Sequence, residues 1–111
     1  MAANEILSLE QAQELATRIT NIPGVAGLHS GQFGEYALLF AGGRVAGLDI
    51  DRSGDEPRLG VAIIADGNTA KDLNQLAQQV QQVVSDATGA IVDVKVADIE
   101  LTNPELGLAV S

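Results

Sequence analysis

The residues with the most obvious chemical potential are those of the segment Asp49-Ile50-Asp51-Arg52-Ser53-Gly54. Oxygen ligands at alternate positions, followed by a glycine where the chain turns, are typical of the first half of an EF-hand calcium loop. The match fails at the twelfth position, where Gly60 stands in place of the bidentate glutamate, and Arg52 adds a positive charge inside the loop. Because both flanks also have strand patterns, we interpret the segment as an acidic turn and predict no metal site.

His29 is the only histidine, and the chain contains no cysteine. A histidine-dependent nucleophile needs a serine or cysteine beside the imidazole and an acid that orients it. Ser30 is adjacent in sequence, but neighbouring residues of a strand point to opposite faces. We therefore predict a strand-end histidine with a structural hydrogen bond, no catalytic or cofactor-binding residues, no cofactor, and a protein that is not an enzyme.

Nucleic-acid binding is disfavoured by charge. The formal net charge is −9, with only six basic residues scattered along the chain, and phosphate backbones repel such a surface. The segment Gly24-Val25-Ala26-Gly27 has the G-x-x-G spacing of a KH domain, whose loop joins two helices and grips phosphates. Here the segment leads into a strand and its middle residues are apolar, so we interpret it as a tightly packed turn. A KH-like RNA-binding module is the weakest of the functional alternatives.

The length of 111 residues fits one domain spanning 1–111, with a core at 8–101 and a C-terminal tail at 102–111. The chain has only three aromatic residues, Phe33, Tyr36 and Phe40, so the core must consist of Leu, Ile, Val and Ala. Aromatic side chains concentrate at interface hot spots. Phe33, Tyr36 and Phe40 are accordingly candidate interface residues, with core packing as the alternative.

Localisation follows from what the composition excludes. The absence of cysteine fits a cytoplasmic protein. The N-terminus has neither the basic nor the apolar region of a signal peptide, and the apolar runs are far shorter than the ~20 residues that span a bilayer. We expect a cytoplasmic protein with no direct membrane insertion.

Two amphipathic helices are predicted. The first covers Leu9 to Thr20, where Ser8 and Gln11 form a capping box and apolar residues recur at helical spacing. The second covers Thr69 to Ala87, with Asn68 or Thr69 as its N-cap and Gly89 as its C-cap. Its polar face, rich in glutamine, is interpreted as a solvated face rather than a contact surface.

The remaining segments read as strands. Val25 to His29 is short, Glu35 to Ala41 pairs with Arg44 to Ile50 through a Gly42-Gly43 turn, and Leu59 to Ala65 is apolar on both faces. Residues 33–41 also fit a helix face, an alternative to the hairpin. The last strand, Ile91 to Leu101, changes its alternation at Ala97, which indicates a bulge or a bend.

The element order α-β-β-β-β-α-β predicts a two-layer α+β fold, with both helices on one face of a mainly antiparallel sheet. The second apolar face of the strand Leu59 to Ala65 must be covered, either by loops or by a second subunit. Because a large apolar patch is rarely left bare, we expect a homo-oligomer.

Several of these segments together resemble the alkaline shock protein family, the envelope-stress-response proteins of Gram-positive bacteria. They are the first helix with Ile22-Pro23-Gly24-Val25-Ala26-Gly27-Leu28, then Gly43-Arg44-Val45-Ala46-Gly47-Leu48, the strand leading into the second helix, and Thr88-Gly89 with Val92-Asp93-Val94-Lys95-Val96. The resemblance is one of order and spacing over about residues 8 to 101. The sequence departs from the family at Asp66-Gly67-Asn68-Thr69, where an aromatic residue before the glycine and a proline after it are missing.

The resemblance implies a non-enzymatic cytoplasmic scaffold or adaptor of the cell-envelope stress response. Such a protein self-associates and is held at the inner face of the cell membrane by a membrane-anchor protein. The resemblance supplies no site residues. The alternative from another class is a small-molecule or ion-binding domain that uses the acidic turn or a pocket on the sheet.

Overall fold

The computed structural model describes residues 7–70 and 72–101. It contains two helices and six strands. In chain order these are α1 (Leu9–Thr20), β1 (Val25–Leu28), β2 (Ala37–Phe40), β3 (Gly43–Ala46), β4 (Leu48–Asp51), β5 (Arg58–Asp66), α2 (Leu73–Thr88) and β6 (Ile91–Glu100). The predicted α+β class and element order are confirmed, with the third predicted strand divided in two. The predicted C-terminal tail, 102–111, lies outside the described residues.

Helix α1 has the predicted bounds and cap. The Ser8 hydroxyl accepts a hydrogen bond from the Gln11 backbone N–H at 3.1 Å, and the Gln11 side chain accepts one from the Ser8 N–H at 2.9 Å. This reciprocal capping box satisfies two of the N–H groups that a helix start leaves without partners. The apolar stripe then buries Ala12, Leu15 and Ile19 against the sheet.

Strand β5 is the centre of the main sheet. On one side it pairs antiparallel with β4 along its first half and with β1 along its second half. On the other side it pairs parallel with β6 along its whole length, from Arg58 opposite Ile91 to Asp66 opposite Glu100. The parallel pair follows from the connection, since α2 carries the chain back to the end where β5 began.

The hairpin β2–β3 forms a separate two-stranded sheet, and the predicted strand interpretation of residues 33–41 holds for 37–40. Its register differs from the prediction, because Phe40 pairs with Gly43 and the turn is therefore Ala41-Gly42. Gly47 then interrupts the strand at a φ of +91°, and β4 leaves the hairpin for β5. A glycine adopts this left-handed conformation without the steric cost of a Cβ.

Helix α2 begins at Leu73, not at the predicted Thr69, with Asp72 as its N-cap. The reason is local: the Asp66 carboxylate accepts hydrogen bonds from the Asn68 N–H and the Thr69 hydroxyl, at 3.0 and 3.1 Å. This aspartate-stabilised turn competes with a helical start at Asn68 or Thr69. The predicted C-cap is confirmed, since Gly89 has a φ of +72°.

Strand β6 contains the irregularity that its alternation predicts. Ile63 lies opposite Val96 and Ile64 opposite Asp98, so Ala97 is an extra residue in the ladder. The strand ends at Glu100, one residue before the predicted Leu101. The bulge rotates the following residues to the other phase, as expected when a strand inserts one residue.

The core is aliphatic, as the scarcity of aromatic residues predicts. The most fully buried large side chains come from α1, β4, β5 and α2, and they are Ile19, Leu48, Leu59, Val61, Ile63, Val80 and Val84. Alternate residues of β5 thus face the two helices. The opposite face of β5 carries Gly60, Ala62 and Ile64, and the first of two candidate sites lies there.

Candidate functional site

The second face of β5 is covered in part by the chain itself. The Tyr36 ring lies over Gly60, where an added Cβ would come within 3.3 Å of its Cε2 atom. Tyr36 is held there by two backbone hydrogen bonds, from its N–H to the Ser30 carbonyl and from the Gly47 N–H to its own carbonyl. Ala62, further along the strand, is fully buried. The sequence left two possible covers for this face, a loop or a second subunit. Over Gly60 the cover is a loop of the same chain.

A cavity of about 350 Å³ lies beside Tyr36, with Ala62, His29 and Lys95 in its walls. The Lys95 Nζ atom is 5.9 Å from the centroid of the Tyr36 ring, a cation–π distance. His29 is a strand-end residue whose Nδ1 accepts a hydrogen bond from the Gly31 N–H at 2.8 Å. Since Nδ1 is an acceptor, the neutral imidazole carries its proton on Nε2. The cavity therefore brings an ammonium group next to an aromatic ring and an imidazole.

Glu35 also lines this cavity, but its carboxylate stabilises the loop. Its Oε1 accepts a hydrogen bond from the Phe33 N–H at 3.0 Å. Hydrogen bonds from the backbone N–H groups of Glu35 itself and of Phe33 hold the pKa of this carboxyl below its usual range. The carboxylate is thus a loop cap, and nothing places it as an acid or base for a reaction.

The three candidate interface aromatics have three different environments. Phe33 is 90% exposed at the tip of the loop, Tyr36 lies on Gly60, and Phe40 packs against the hydrophobic core. Phe33 is therefore the aromatic that is open to a partner, while Phe40 has the core role that the sequence left as the alternative. Their assignment to an interface stays a prediction.

The acidic segment 49–54 forms a strand end and a turn. Asp51 Oδ1 accepts hydrogen bonds from the Ser53 hydroxyl at 2.7 Å and from the Ser53 N–H at 2.9 Å. The bond from the Ser53 hydroxyl is the main reason that the pKa of Asp51 is lowered. Gly60, the failed twelfth position, lies opposite Asp49 within the sheet. Among residues 7–70 and 72–101, no three His, Asp or Glu side chains are grouped so that they could hold a metal ion.

The G-x-x-G segment is a turn that enters β1, not a loop between helices. Gly24 has a φ of +99°, and a Cβ there would lie 3.1 Å from Leu76 and 3.2 Å from Ala70. Gly27 lies within β1 opposite Ile64. The segment has the tight packing that its apolar residues indicate.

The outer edge of β6 is another candidate surface, and no sequence motif marks it. Gln81 of α2 donates from Nε2 to the Val92 carbonyl at 2.8 Å, so Val92 turns its backbone groups away from β5. Successive residues of a strand alternate in this respect, and Val94 and Val96 therefore also direct their N–H and C=O outward. No strand in the described part of the chain pairs with this edge. β6 is thus an open edge strand.

A groove runs between this edge and α2. Its volume is about 450 Å³, and it is lined by Asn74, Ala77, Gln78, Gln81 and Val92–Val94. The glutamine-rich face of α2, interpreted from sequence as a solvated face, thus forms one wall of the groove. Amide side chains both donate and accept hydrogen bonds, so they suit an extended backbone. The polar face of α2 lies beside the outer edge of β6 because β6 is at the edge of the sheet. Sequence periodicity does not predict that position.

The open edge has defined ends. Beyond Val96 the bulge at Ala97 breaks the ladder, and the Ile99 N–H is bonded to the Asp98 carboxylate at 2.8 Å. Bulges and capped groups of this kind limit how much of an edge strand can pair. The segment available to a partner strand is therefore Val92 to Val96.

Charged side chains lie on the face of Val92 to Val96 that bears Asp93 and Lys95. Arg58 donates two hydrogen bonds to Asp93, from Nε at 2.7 Å and from Nη2 at 2.8 Å. Hydrogen bonding by Arg58 lowers the pKa of Asp93. Asp93 and Lys95 share this face, two residues apart, and both are exposed.

No protein-family model, curated protein or solved structure matches this chain. Within residues 7–70 and 72–101, no helix is long and apolar enough to cross a membrane.

Proposed function

We propose that this protein is a non-enzymatic scaffold or adaptor of the cell-envelope stress response. It self-associates in the cytoplasm and is brought to the inner face of the cell membrane by an anchor protein. The resemblance to the alkaline shock protein family supplies the stress response and the anchor. The open edge of β6 is the observation that carries the self-association.

The edge supports this role because unpaired backbone groups are a template for another strand. Addition of a strand to such an edge is a common mode of protein recognition, in which backbone hydrogen bonds give the affinity. Within Val92 to Val96, three residues direct their backbone N–H and C=O groups outward. The groove along α2 provides room beside them.

The charge of the molecule supports the anchor protein. A net charge of −9 is unfavourable for direct contact with anionic lipid headgroups. An acidic module held at a membrane therefore requires a protein between it and the lipid, and a basic segment of that protein would complement its surface.

The variant Val94→Pro tests the edge. The Val94 N–H points away from β5, so proline removes an outward donor without removing a hydrogen bond of the β5–β6 ladder. We expect the wild-type protein to show a concentration-dependent mass above 11.5 kDa in sedimentation velocity. We expect Val94→Pro to remain near the monomer mass over the same concentrations.

Val94→Thr is the matched control, since it keeps the N–H and the β-branched shape, and it should associate as the wild type does. Circular dichroism establishes that both variants are folded. A wild-type protein that stays monomeric at the highest concentration would overturn the proposed self-association. Association that is unchanged in Val94→Pro would place the contact elsewhere.

A second candidate function, small-molecule binding, is favoured by the cavity beside Tyr36. Lys95 and His29 in its walls suit a small carboxylate or phosphate, while the Glu35 carboxylate in the same cavity opposes such an anion. A ligand at 100 times its Kd stabilises a protein by about 2.7 kcal/mol, which raises the Tm of a domain of this size by about 10 °C or more. A thermal-shift screen of small anions tests this, and Lys95→Gln must lose any stabilisation observed. A screen without a stabilising anion counts against the site.

A further inference from the structure

We infer that the partner of the β6 edge is a second copy of β6, paired antiparallel about a two-fold axis at Val94. In this register Val94 lies opposite Val94 of the other copy, and Asp93 lies opposite Lys95. The inference rests on the proposed function, because it names the occupant of the same edge.

Hydrogen bonding favours this register over its neighbours. Only residues that direct their backbone outward can form hydrogen-bonded pairs, and these are Val92, Val94 and Val96 within the open segment. With the axis at Val94, all three residues of each copy are paired, since Val92 meets Val96. A shift of the partner by two residues in either direction leaves one of the three without a partner. The bulge at Ala97 prevents compensation by residues further along.

Charge favours the same register. Asp93 and Lys95 belong to the pairs that lie between the hydrogen-bonded ones, where opposite side chains are closest. An axis at Val94 places Asp93 opposite Lys95 twice, once on each side. The two shifted registers place either Lys95 opposite Lys95 or Asp93 opposite Asp93. Like charges directly opposite each other destabilise a strand pair.

The helices are compatible with this arrangement. A two-fold axis between antiparallel strands is perpendicular to the sheet, so α2 of each copy stays on the same face. The glutamine-rich faces of the two α2 helices, including Asn74 and Gln78, then turn toward each other across the axis. Gln81 already bonds to one lone pair of the Val92 carbonyl, and the second lone pair accepts the N–H of the partner strand.

Exchange of the two charges tests the register. In Asp93→Lys each pair becomes Lys opposite Lys, and in Lys95→Asp each pair becomes Asp opposite Asp. We expect each variant alone to dimerise at least about tenfold more weakly than the wild type, because two attractive pairs become repulsive. In a mixture of the two variants every pair is again Lys opposite Asp. Sedimentation velocity of the mixture should therefore recover a heterodimer, and the double variant Asp93→Lys/Lys95→Asp should recover a homodimer.

The heterodimer also shows that both variants are folded. Glu100→Lys controls for the charge change of Asp93→Lys, since it makes the same change on β6 outside the paired segment. Arg58→Gln controls for the loss of the Arg58–Asp93 ion pair. Both controls should associate as the wild type does. If the single variants dimerise as strongly as the wild type, or the mixture does not recover, this register is wrong, while self-association itself stands. A monomeric wild type overturns both the register and the proposed self-association.

Discussion

At the scale of single residues, Gly47 decides how the hairpin joins the main sheet. Its N–H donates to the Tyr36 carbonyl at 2.7 Å, and its carbonyl accepts from the Ala62 N–H at 2.9 Å. One residue therefore links Tyr36, which immediately precedes β2, to β5. Its φ of +91° is open to glycine, and a Cβ would lie 2.6 Å from the Leu28 Cβ. Both the backbone and the packing require glycine at this position.

The substitution Gly47→Ala should accordingly be strongly destabilising. The left-handed φ costs about 1 kcal/mol for alanine, and the contact with Leu28 adds about 1–3 kcal/mol, as overpacking does in protein cores. We expect a loss of about 2–4 kcal/mol in the free energy of unfolding by urea denaturation. This is a large share of the stability of a small domain.

Gly54→Ala is the matched control for this prediction. A Cβ at Gly54 would have no atom within 4 Å, and the residue lies in an exposed turn. Its unfolding free energy should stay within about 0.5 kcal/mol of the wild type, as for surface substitutions in general. Equal effects of the two substitutions would show that the Leu28 contact and the φ angle of Gly47 do not matter.

At the scale of elements, the β5–β6 ladder is fastened at its start by Arg58 and Asp93. These residues are 35 positions apart in sequence, and their bidentate contact lies where the parallel pair begins. Hydrogen bonding and the charge of Arg58 lower the pKa of Asp93. A carboxyl with a lowered pKa in the folded state stabilises the fold above its unfolded pKa, and that contribution is lost as the pH falls through the folded pKa.

The variant Arg58→Gln should raise the pKa of Asp93 toward the value usual for aspartate, because its main stabilising partner is removed. NMR titration of the Asp93 carboxyl measures this directly. The wild type should lose stability below about pH 4, and the difference in stability between wild type and Arg58→Gln should shrink there. The effect is modest, since both side chains are largely exposed and solvent screens the pair.

Arg44→Gln is the control, because it removes an arginine from β3 without touching Asp93. The Asp93 pKa should be the same in Arg44→Gln as in the wild type. A pKa of Asp93 that is unchanged by the loss of Arg58 would contradict the role given to the bidentate contact.

The helices and the bulge are predictable from sequence because their signals are local. Ser8 and Gln11 fix the start of α1, Gly89 fixes the end of α2, and the change of alternation places the bulge at Ala97. The start of α2 is not predictable in the same way. Asp66 and Asp72 both offer side chains to backbone N–H groups, and the turn made by Asp66 delays the helix until Leu73.

At the scale of the whole molecule, the sequence predicts the layers but not the edge. The two apolar faces of β5 correctly predict that both are covered, yet the cover over Gly60 is Tyr36 of the same chain. That contact joins residues far apart in sequence, so no local pattern reveals it. Similarly, β6 has the pattern of any half-buried strand, and its position as the outer strand depends on the crossover through α2. The candidate surface of the molecule is therefore a product of topology.

The position of β6 also has a consequence for biosynthesis. When the chain emerges from the ribosome, β5 and its partners β1 and β4 appear before α2 and β6. Until β6 arrives, one side of the most aliphatic strand has no neighbour, a condition that favours aggregation. β6 carries charges of both signs, including Asp93 and Lys95. In contrast, β5 has no charged residue between Arg58 and Asp66. β6 thus covers the uncharged side of β5 with a strand whose exposed face carries charge.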